Sequence, residues 1–157
     1  MILAFVILTV GAADSASFAS ALSEVVADLH PLAAARQIDL GQVTQGDVQW
    51  PCSSFELQTL LRNVLSNALR HTPDGGQVNV GAVSNATGLL LFVDDSGQGI
   101  APQQASLVFE PFHKAEGSTH EGTGLGLSIV RAIALRMGAH VGLGPRPDGL
   151  GGCRFLM

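Results

Sequence analysis

Apolar residues recur every three or four positions in three stretches of the chain, and this spacing predicts three amphipathic helices. The first helix is expected from about Phe18 to Arg36, with Pro31 bending or interrupting it because proline lacks the amide hydrogen that a helix interior uses. The residues expected on its apolar face are Leu22, Val25, Val26, Leu29 and Leu32.

The second helix is expected to begin at Ser53, because Ser53 and Glu56 form the Ser-x-x-Glu pattern that satisfies free amides at a helix start. It should end near Thr72, ahead of a Pro-Asp-Gly-Gly turn. The third helix is expected from Leu125 to Met137, followed by Gly138 in the position typical of a helix C-terminus. The apolar faces comprise Leu57, Leu60, Leu61, Val64, Leu65 and Ala68 in the second helix, and Ile129, Val130, Ile133 and Met137 in the third.

Strand-like patterns lie between these helices. Short stretches near residues 38–40 and 48–50 favour strands, and a hairpin is expected to turn across residues 84–88. Its arms are an alternating stretch with Val78, Val80 and Ala82 and a continuous apolar stretch from Leu89 to Val93. Val141, Leu143, Phe155 and Leu156 supply closing strands. The pattern predicts an α+β fold in which helices cover one face of a mixed sheet.

Composition narrows the classes of function. The 157 residues are 46% hydrophobic and 13% charged, which suits one ordinary core and excludes a disordered chain. Thirteen acidic residues against eight basic ones give a net charge of −5, so we expect no nucleic acid partner and no direct membrane contact. Cys52 and Cys153 stand apart from any metal-binding spacing, which favours a reducing compartment.

Several familiar catalytic motifs are absent from the sequence. Lys114 is the one lysine, and no GxxxxGK[ST] loop, GxGxxG fingerprint or GxSxG elbow occurs. His120 and Glu121 are followed by glycine and threonine rather than by a second histidine, which excludes a zinc-protease helix.

Three polar segments remain as candidates for chemistry. Asn63 and Asn67 lie four residues apart on the second helix, with Arg70 and His71 one turn further, so these side chains form a polar stripe beside the core face. Amide oxygens can ligate a hard cation and arginine can bind phosphate oxygens, although a solvated helix face would show the same pattern.

The second segment, Asp94 to Ile100, directly follows an apolar strand. Its carboxylate can accept a hydrogen bond from an exocyclic amine while its glycines allow a ligand close to the backbone, although a plain turn could have this sequence. The third segment, Gly122 to Leu127, opens the last helix with three glycines that expose amides at the positive end of the helix dipole. A flexible loop before a helix is the alternative. A long irregular connection joins the two segments, and loops of that length are usually functional.

Four segments in this order closely resemble the catalytic and ATP-binding domain of bacterial sensor histidine kinases, in the superfamily that includes gyrase, the Hsp90 chaperones and MutL. Leu61 to Pro73 (LRNVLSNALRHTP) resembles its N box, Asp95 to Gly99 (DSGQG) its G1 box, Phe109 to Phe112 (FEPF) its F box and Gly122 to Val130 (GTGLGLSIV) its G2 box. The resemblance implies a two-layer α/β sandwich of the Bergerat type, with ATP between the helices and a mobile lid at residues 100–121. It covers residues 18–157, and we take this range as the domain. We take residues 1–17 as the remnant of a dimerisation helix.

The resemblance also implies roles for individual residues. Asp95 would receive the adenine amine, Asn67 would hold Mg²⁺ with support from Asn63, and Lys114 would be a basic lid residue. Arg70 and His71 would reach the phosphates or ribose. The base pocket would include Gly97, Gly99 and Ile100, and the triphosphate would lie against Gly122, Thr123, Gly124, Leu125 and Gly126.

Position 63 favours a kinase over an ATPase, because hydrolytic members of the superfamily place there a glutamate that activates water, and this chain has asparagine. None of the five histidines has the sequence context of a phosphoacceptor. The resemblance therefore implies transfer to a histidine on a separate dimerisation domain, with a response regulator as an indirect partner. It implies a cytoplasmic domain of a parent protein anchored in the inner membrane. The alternatives are a serine kinase of the anti-sigma type and a non-catalytic module whose lid is ordered by nucleotide.

Overall fold

The computed structural model describes residues 14–44, 46–86, 88–113 and 123–157. The helices are α1 (Phe18–Ala35), α2 (Ser54–His71) and α3 (Gly126–Arg136), and a single 3₁₀ turn spans Leu107–Phe109. The strands are β1 (Ala16–Ser17), β2 (Asp39–Thr44), β3 (Gln49–Trp50), β4 (Gln77–Asn85), β5 (Gly88–Asp95), β6 (Gly142–Gly144) and β7 (Cys153–Leu156).

Five strands form the main sheet in the order β2-β4-β5-β7-β6. β2 is parallel to β4, whereas the β4-β5, β5-β7 and β7-β6 pairs are antiparallel, so the sheet is mixed as predicted. α1 packs beside α2 and α2 beside α3, and the inward residues of β4 and β5 are buried beneath them. The predicted hairpin is confirmed, because β4 and β5 pair from Val78 opposite Asp95 to Asn85 opposite Gly88. The predicted α+β fold with helices on one face is therefore confirmed.

Local signals explain where the helices begin and end. The Ser53 hydroxyl accepts a hydrogen bond from the Glu56 amide, and the Glu56 carboxylate accepts one from the Ser53 amide, as the capping pattern predicted. Gly138 follows α3 with φ +69°, the left-handed conformation expected at a helix C-terminus. The interruption expected at Pro31 does not occur, because this residue lies on the exposed side of α1, where water can satisfy the freed carbonyl.

Two predicted core positions are wrong. Leu32 and Ile129 are 45% and 40% exposed, so neither lies on the inner face of its helix. In α1 the next core residue after Leu29 is Ala33 rather than Leu32. In α3 Val130 is buried, whereas its neighbour Ile129 is not. The apolar period predicts the residues at the centre of a buried helix face well. It predicts the residues at the edges of that face poorly, because successive residues lie about 100° apart around the helix axis.

The fold brings three chain segments together at one end of the sheet. The turn after β5 is fixed to the start of β4, since the Ser96 amide donates to the Gln77 carbonyl and the Gln77 amide donates to the Ser96 hydroxyl. The C-terminus of α2 adjoins this turn, since the His71 carbonyl lies against Gly97, whereas the first residue of α3 lies against Asn63 in the middle of α2. Within the described ranges, no helix has both the length and the apolar character needed to cross a bilayer.

Candidate functional site

Asp95 is the buried acid of the site. It is the last residue of β5, is 9% exposed, and its Oδ1 accepts a hydrogen bond from the Gly97 amide at 2.8 Å. Cys153, on the neighbouring strand β7, lies directly opposite Asp95. Burial raises the pKa of Asp95 above its ordinary value, and the Gly97 amide partly offsets that rise. The carboxyl is thus held in one orientation with acceptor capacity left for a ligand amine.

Gly97 allows the turn after β5 to lie directly against the end of α2. A Cβ atom at this position would come within 2.5 Å of the His71 carbonyl oxygen and within 2.8 Å of Asp95 Oδ1. Any side chain at position 97 would therefore push the turn away from α2 and disturb the carboxylate. Gly99 also approaches backbone closely, because its Cβ would lie 3.0 Å from the Gly152 carbonyl oxygen and its φ is +78°.

The polar stripe predicted on α2 adjoins the start of α3 through Asn63. Asn63 Nδ2 donates to the Thr59 carbonyl at 2.8 Å, which leaves the side-chain oxygen directed at the first residue of α3, Gly126. Asn67 follows one turn later and is half-buried. Arg70 is half-buried and His71 is exposed, and His71 has interactions of its own within the protein.

The N-terminus of α3 is tied to the end of the preceding loop. The Phe112 amide donates to the Gly124 carbonyl at 3.0 Å, and a Cβ on Gly124 would lie 3.0 Å from the Phe112 backbone. Gly124 has φ +71°, so glycine suits this position both sterically and conformationally. Leu125, the N-cap residue, makes no side-chain capping hydrogen bond to the described part of the helix, so the amides of the first turn of α3 suit an anion.

The predicted lid is described only in part. Its first half includes the half-buried Ile100 and the 3₁₀ turn, and Glu110 is paired with Arg131 of α3 at 2.6 Å. Lys114, predicted as a basic lid residue, and Gly122, predicted to lie against the triphosphate, are outside the described residues. Thr123, which opens the next described segment, is exposed.

Sequence reasoning missed the part of the site that β7 contributes. Cys153 lies directly opposite Asp95 in the β5-β7 pairing, and its thiol has a pKa raised to about 12, mainly by burial. Gly152 is so close to Asp95 that a Cβ there would lie 1.9 Å from the Asp95 carbonyl oxygen. The Arg146 guanidinium lowers the pKa of Asp95. Only the consecutive glycines at 151 and 152 hinted at these contacts in the sequence.

Comparison with protein families gives one match over most of the chain. The family model described as "Histidine kinase-, DNA gyrase B-, and HSP90-like ATPase" matches residues 53–157. The alginate biosynthesis sensor protein KinB of Pseudomonas aeruginosa is 33% identical over 129 residues, which is 81% of this chain and 21% of that protein. The sensor protein QseC of Salmonella typhimurium is 35% identical over 129 residues, 82% of this chain and 28% of that protein. The chain thus spans less than a third of either relative.

Solved structures of histidine kinases share the fold. A mycobacterial sensor histidine kinase, MprB, superposes with a TM-score of 0.78 at 27% identity, covering 92% of this chain and 94% of that one. Full-length ShkA in complex with AMPPNP superposes with a TM-score of 0.77 at 27% identity, covering 92% of this chain and 30% of that one. The catalytic domain of ThkA, at 23% identity and a TM-score of 0.80 over 92% of each chain, supports the fold alone.

Proposed function

The chain belongs to the histidine kinase-, DNA gyrase B- and HSP90-like ATPase family, and from this premise we propose that it is the ATP-binding catalytic domain of a sensor histidine kinase. In this proposal it transfers the γ-phosphate of ATP to a histidine on a separate dimerisation domain. The observation that carries the proposal is the buried Asp95 carboxyl at the end of β5, which accepts a hydrogen bond from the Gly97 amide beside the C-terminus of α2. The names of the relatives, which are sensor proteins and kinases, support it.

Each predicted residue has a place in this scheme. Asp95 accepts the adenine amine, with Gly97, Gly99 and Ile100 around the base. Arg70 and His71 at the end of α2 reach the phosphates or ribose, since a guanidinium binds phosphate oxygens well. The phosphate groups lie against Thr123, Gly124, Leu125 and Gly126, where the uncapped amides of α3 favour negative charge. Gly122 and Lys114 are assigned to the phosphates and the lid by family resemblance alone.

The residues present fit a Mg²⁺ ion between α2 and the phosphates. Asn63 uses its side-chain nitrogen on its own helix and directs its oxygen at α3, and the half-buried Asn67 lies one turn further toward Arg70. Amide oxygens are hard donors that Mg²⁺ accepts alongside phosphate oxygens and water. We assign Asn67 as the metal ligand and Asn63 as its support. When bound, Mg²⁺ would neutralise charge on the transferring phosphate.

The reaction needs little covalent chemistry from this domain. The bond from the γ-phosphorus to the bridging oxygen of ADP breaks as a bond to the acceptor imidazole nitrogen forms, and the imidazole gives up its N–H proton. Positioning and charge neutralisation supply most of the catalysis in phosphoryl transfer. Asn63 has no carboxylate to activate water, which favours transfer to a protein nucleophile over hydrolysis.

The partners and location follow from this proposal. The direct partner is a dimerisation domain that carries the acceptor histidine, and a response regulator receives the phosphate from that domain. The histidine kinase ThkA, one of the solved relatives, forms a crystalline complex with the response regulator protein TrrA, which is consistent with such a system. A cytoplasmic location, in a parent protein anchored in the inner membrane, matches the source of ATP. We place the domain at residues 18–157 and assign residues 1–17 to a preceding dimerisation segment, whose last two residues form β1 and pair with β3.

One assay separates the proposal from its alternatives. The chain is incubated with Mg²⁺-ATP labelled at the γ-phosphate and offered either a histidine-bearing dimerisation domain or a serine-bearing antagonist of the anti-sigma system. Acid-labile label on the dimerisation domain is the expected result. Acid-stable label on the antagonist would instead identify a serine kinase, and nucleotide binding without transfer to any supplied acceptor would identify an interaction module.

A further inference from the structure

We propose that Arg36, which directly follows α1, is a positioning residue for the phosphate end of the nucleotide. Its guanidinium caps the C-terminus of α2 and thereby fixes the helix end that carries Arg70. The inference rests on the proposed function only in the phosphate contact that it assigns to Arg70, and it gives Arg36 itself no contact with the nucleotide.

The C-terminus of α2 has a carbonyl that its own helix cannot satisfy. The Leu69 carbonyl would normally accept a hydrogen bond from the amide four residues on, but that residue is Pro73, which has no amide hydrogen. The preceding carbonyl, that of Ala68, accepts from both the amide and the hydroxyl of Thr72, at 3.0 and 2.7 Å. Leu69 is fully buried, so its carbonyl needs a donor from elsewhere in the fold.

Arg36 supplies this donor and two more. One terminal nitrogen of its guanidinium donates to the Leu69 carbonyl at 2.6 Å, the other donates to the Thr72 carbonyl at 2.7 Å, and Nε donates to Asp74 Oδ1 at 2.8 Å. The Arg36 carbonyl in turn accepts a hydrogen bond from the Gly75 amide at 3.0 Å. The bonds to the two carbonyls matter most, because the Asp74 side chain is 75% exposed and an exposed ion pair contributes little. A cation also suits this end of α2, which is the negative end of the helix dipole.

The backbone next to Arg36 is held in an uncommon conformation. Gln37 has φ +53°, in the left-handed region where glycine is the usual residue at a helix end. The amides of Gln37 and Ile38 donate back to carbonyls in the last turn of α1, at 3.0 and 2.9 Å, and Ile38 is buried. A conformation of this kind in a non-glycine residue persists where the surrounding contacts determine it. The turn that presents Arg36 to α2 is therefore tightly held.

The capped helix end belongs to the candidate site. Arg70 directly follows Leu69, and the carbonyl of the next residue, His71, lies against Gly97 in the turn after β5. Displacement of this helix end would therefore move Arg70 relative to that turn. A guanidinium binds phosphate oxygens through directed hydrogen bonds, so a shift of about 1 Å would weaken the contact. Arg36 thus acts on the nucleotide through Arg70.

A double-mutant cycle, measured by calorimetric titration with ATP, tests this route. Arg36→Met should weaken ATP binding about tenfold, the size of effect expected when a hydrogen bond from a charged group is lost. In an Arg70→Ala background the same substitution should change the affinity by less than about twofold, because the side chain that Arg36 positions is no longer there. Arg62→Met is the matched control, since it removes another arginine that links α2 to α1, through Asp28, and it should leave the ATP affinity as in wild type.

Native-state amide hydrogen exchange gives a second readout that needs no nucleotide. In Arg36→Met the Thr72 amide should exchange about tenfold faster, because the end of α2 loses its cap. The Leu57 amide, which bonds to the Ser53 carbonyl at the other end of α2, should keep its wild-type rate. Equal acceleration of both amides would indicate a general loss of stability and would contradict a positioning role.

Arg36→Lys keeps the test decisive if Arg36→Met fails to fold. Lysine keeps the charge but lacks the planar fork that reaches both carbonyls, so it should give an intermediate loss of ATP affinity. A folded Arg36 variant that binds ATP like wild type would overturn the inference. Equal losses with and without Arg70 would also overturn it and would leave the proposed function intact. A wild-type protein that binds no ATP would instead contradict the proposed function, and with it the role of Arg70.

Discussion

Gly126, the first residue of α3, lies so close to Asn63 of α2 that a Cβ atom on the glycine would come within 3.0 Å of the asparagine side-chain oxygen. This contact joins the polar stripe of α2 to the anion-binding end of α3. Both helices must keep this spacing if a metal-bound triphosphate is to lie between them.

Gly126→Ala is expected to weaken ATP binding without destabilising the protein. The added methyl group pushes Asn63 or the start of α3 away, whereas alanine in a helix is favoured over glycine by about 1 kcal/mol. Calorimetry with Mg²⁺-ATP and thermal unfolding measure the two effects. Gly142→Ala, at a glycine with open space around it, is the matched control. Unchanged affinity in Gly126→Ala would show that this contact does not shape the phosphate site.

Asp95→Asn is expected to weaken ATP binding about tenfold or more, since a hydrogen bond to a charged group contributes about 1.5–3 kcal/mol and 1.4 kcal/mol corresponds to a factor of ten. Isothermal titration calorimetry provides the affinity. Equal affinity in the variant and wild type would exclude the adenine role of this carboxyl.

Asp95→Asn is expected to stabilise the nucleotide-free protein, although it weakens ATP binding. Burial raises the pKa of Asp95 in the folded protein, so the folded state binds this proton more tightly than the unfolded chain. Asp95 therefore contributes most to the free energy of unfolding at low pH. This contribution is lost as pH rises through the pKa of Asp95 in the folded protein. The nucleotide-free Asp95→Asn protein should melt at a higher temperature than wild type at pH 7, and the difference should shrink below that pKa. A difference that is independent of pH would contradict this explanation.

Asn67→Ala is expected to reduce the part of ATP affinity that depends on Mg²⁺. Loss of an amide ligand affects the metal-bound nucleotide, while binding measured in the presence of a chelator should change less. Titrations of both proteins with and without Mg²⁺ provide the comparison. Gln58→Ala removes another amide from the same helix and should leave both affinities as in wild type. A metal-independent loss in Asn67→Ala would assign Asn67 to the nucleotide itself.

Ser53→Ala is expected to lower the free energy of unfolding by about 1 kcal/mol, because it removes the N-cap of α2. The Ser53 hydrogen bonds lower the pKa of Glu56, so the stabilisation from Glu56 is present above its ordinary pKa and is lost as pH falls through the lowered value. Urea unfolding at pH 7 and at acid pH should show that the variant has lost part of this dependence. Ser23→Ala, at an exposed position of α1, serves as the control.

Much of the fold could be read from local signals. These signals are the capping pattern at Ser53, the glycine at 138 and the apolar periods of α1, α2 and α3. Each involves residues that are close together along the chain, so it can be recognised from the sequence alone. The hairpin of β4 and β5 belongs to the same class, because a short turn brings its two arms together. Leu32 and Ile129, at the edges of their helical faces, were wrongly predicted to be buried. The packing of neighbouring elements decides which residues at the edge of an apolar face are covered.

The sequence by itself determined the three helices, the strands of the main sheet, their order and the chemical types at the site: an acid after a strand, asparagines on a helix and glycines before another. Only the tertiary structure decided that Cys153 lies opposite Asp95, that Arg154 binds Asp94 and that Asn63 adjoins Gly126. The partners in these contacts lie about sixty residues apart along the chain, from strands and helices that meet only after folding. Pairing register and helix spacing arise from packing the whole core, and no local pattern specifies them.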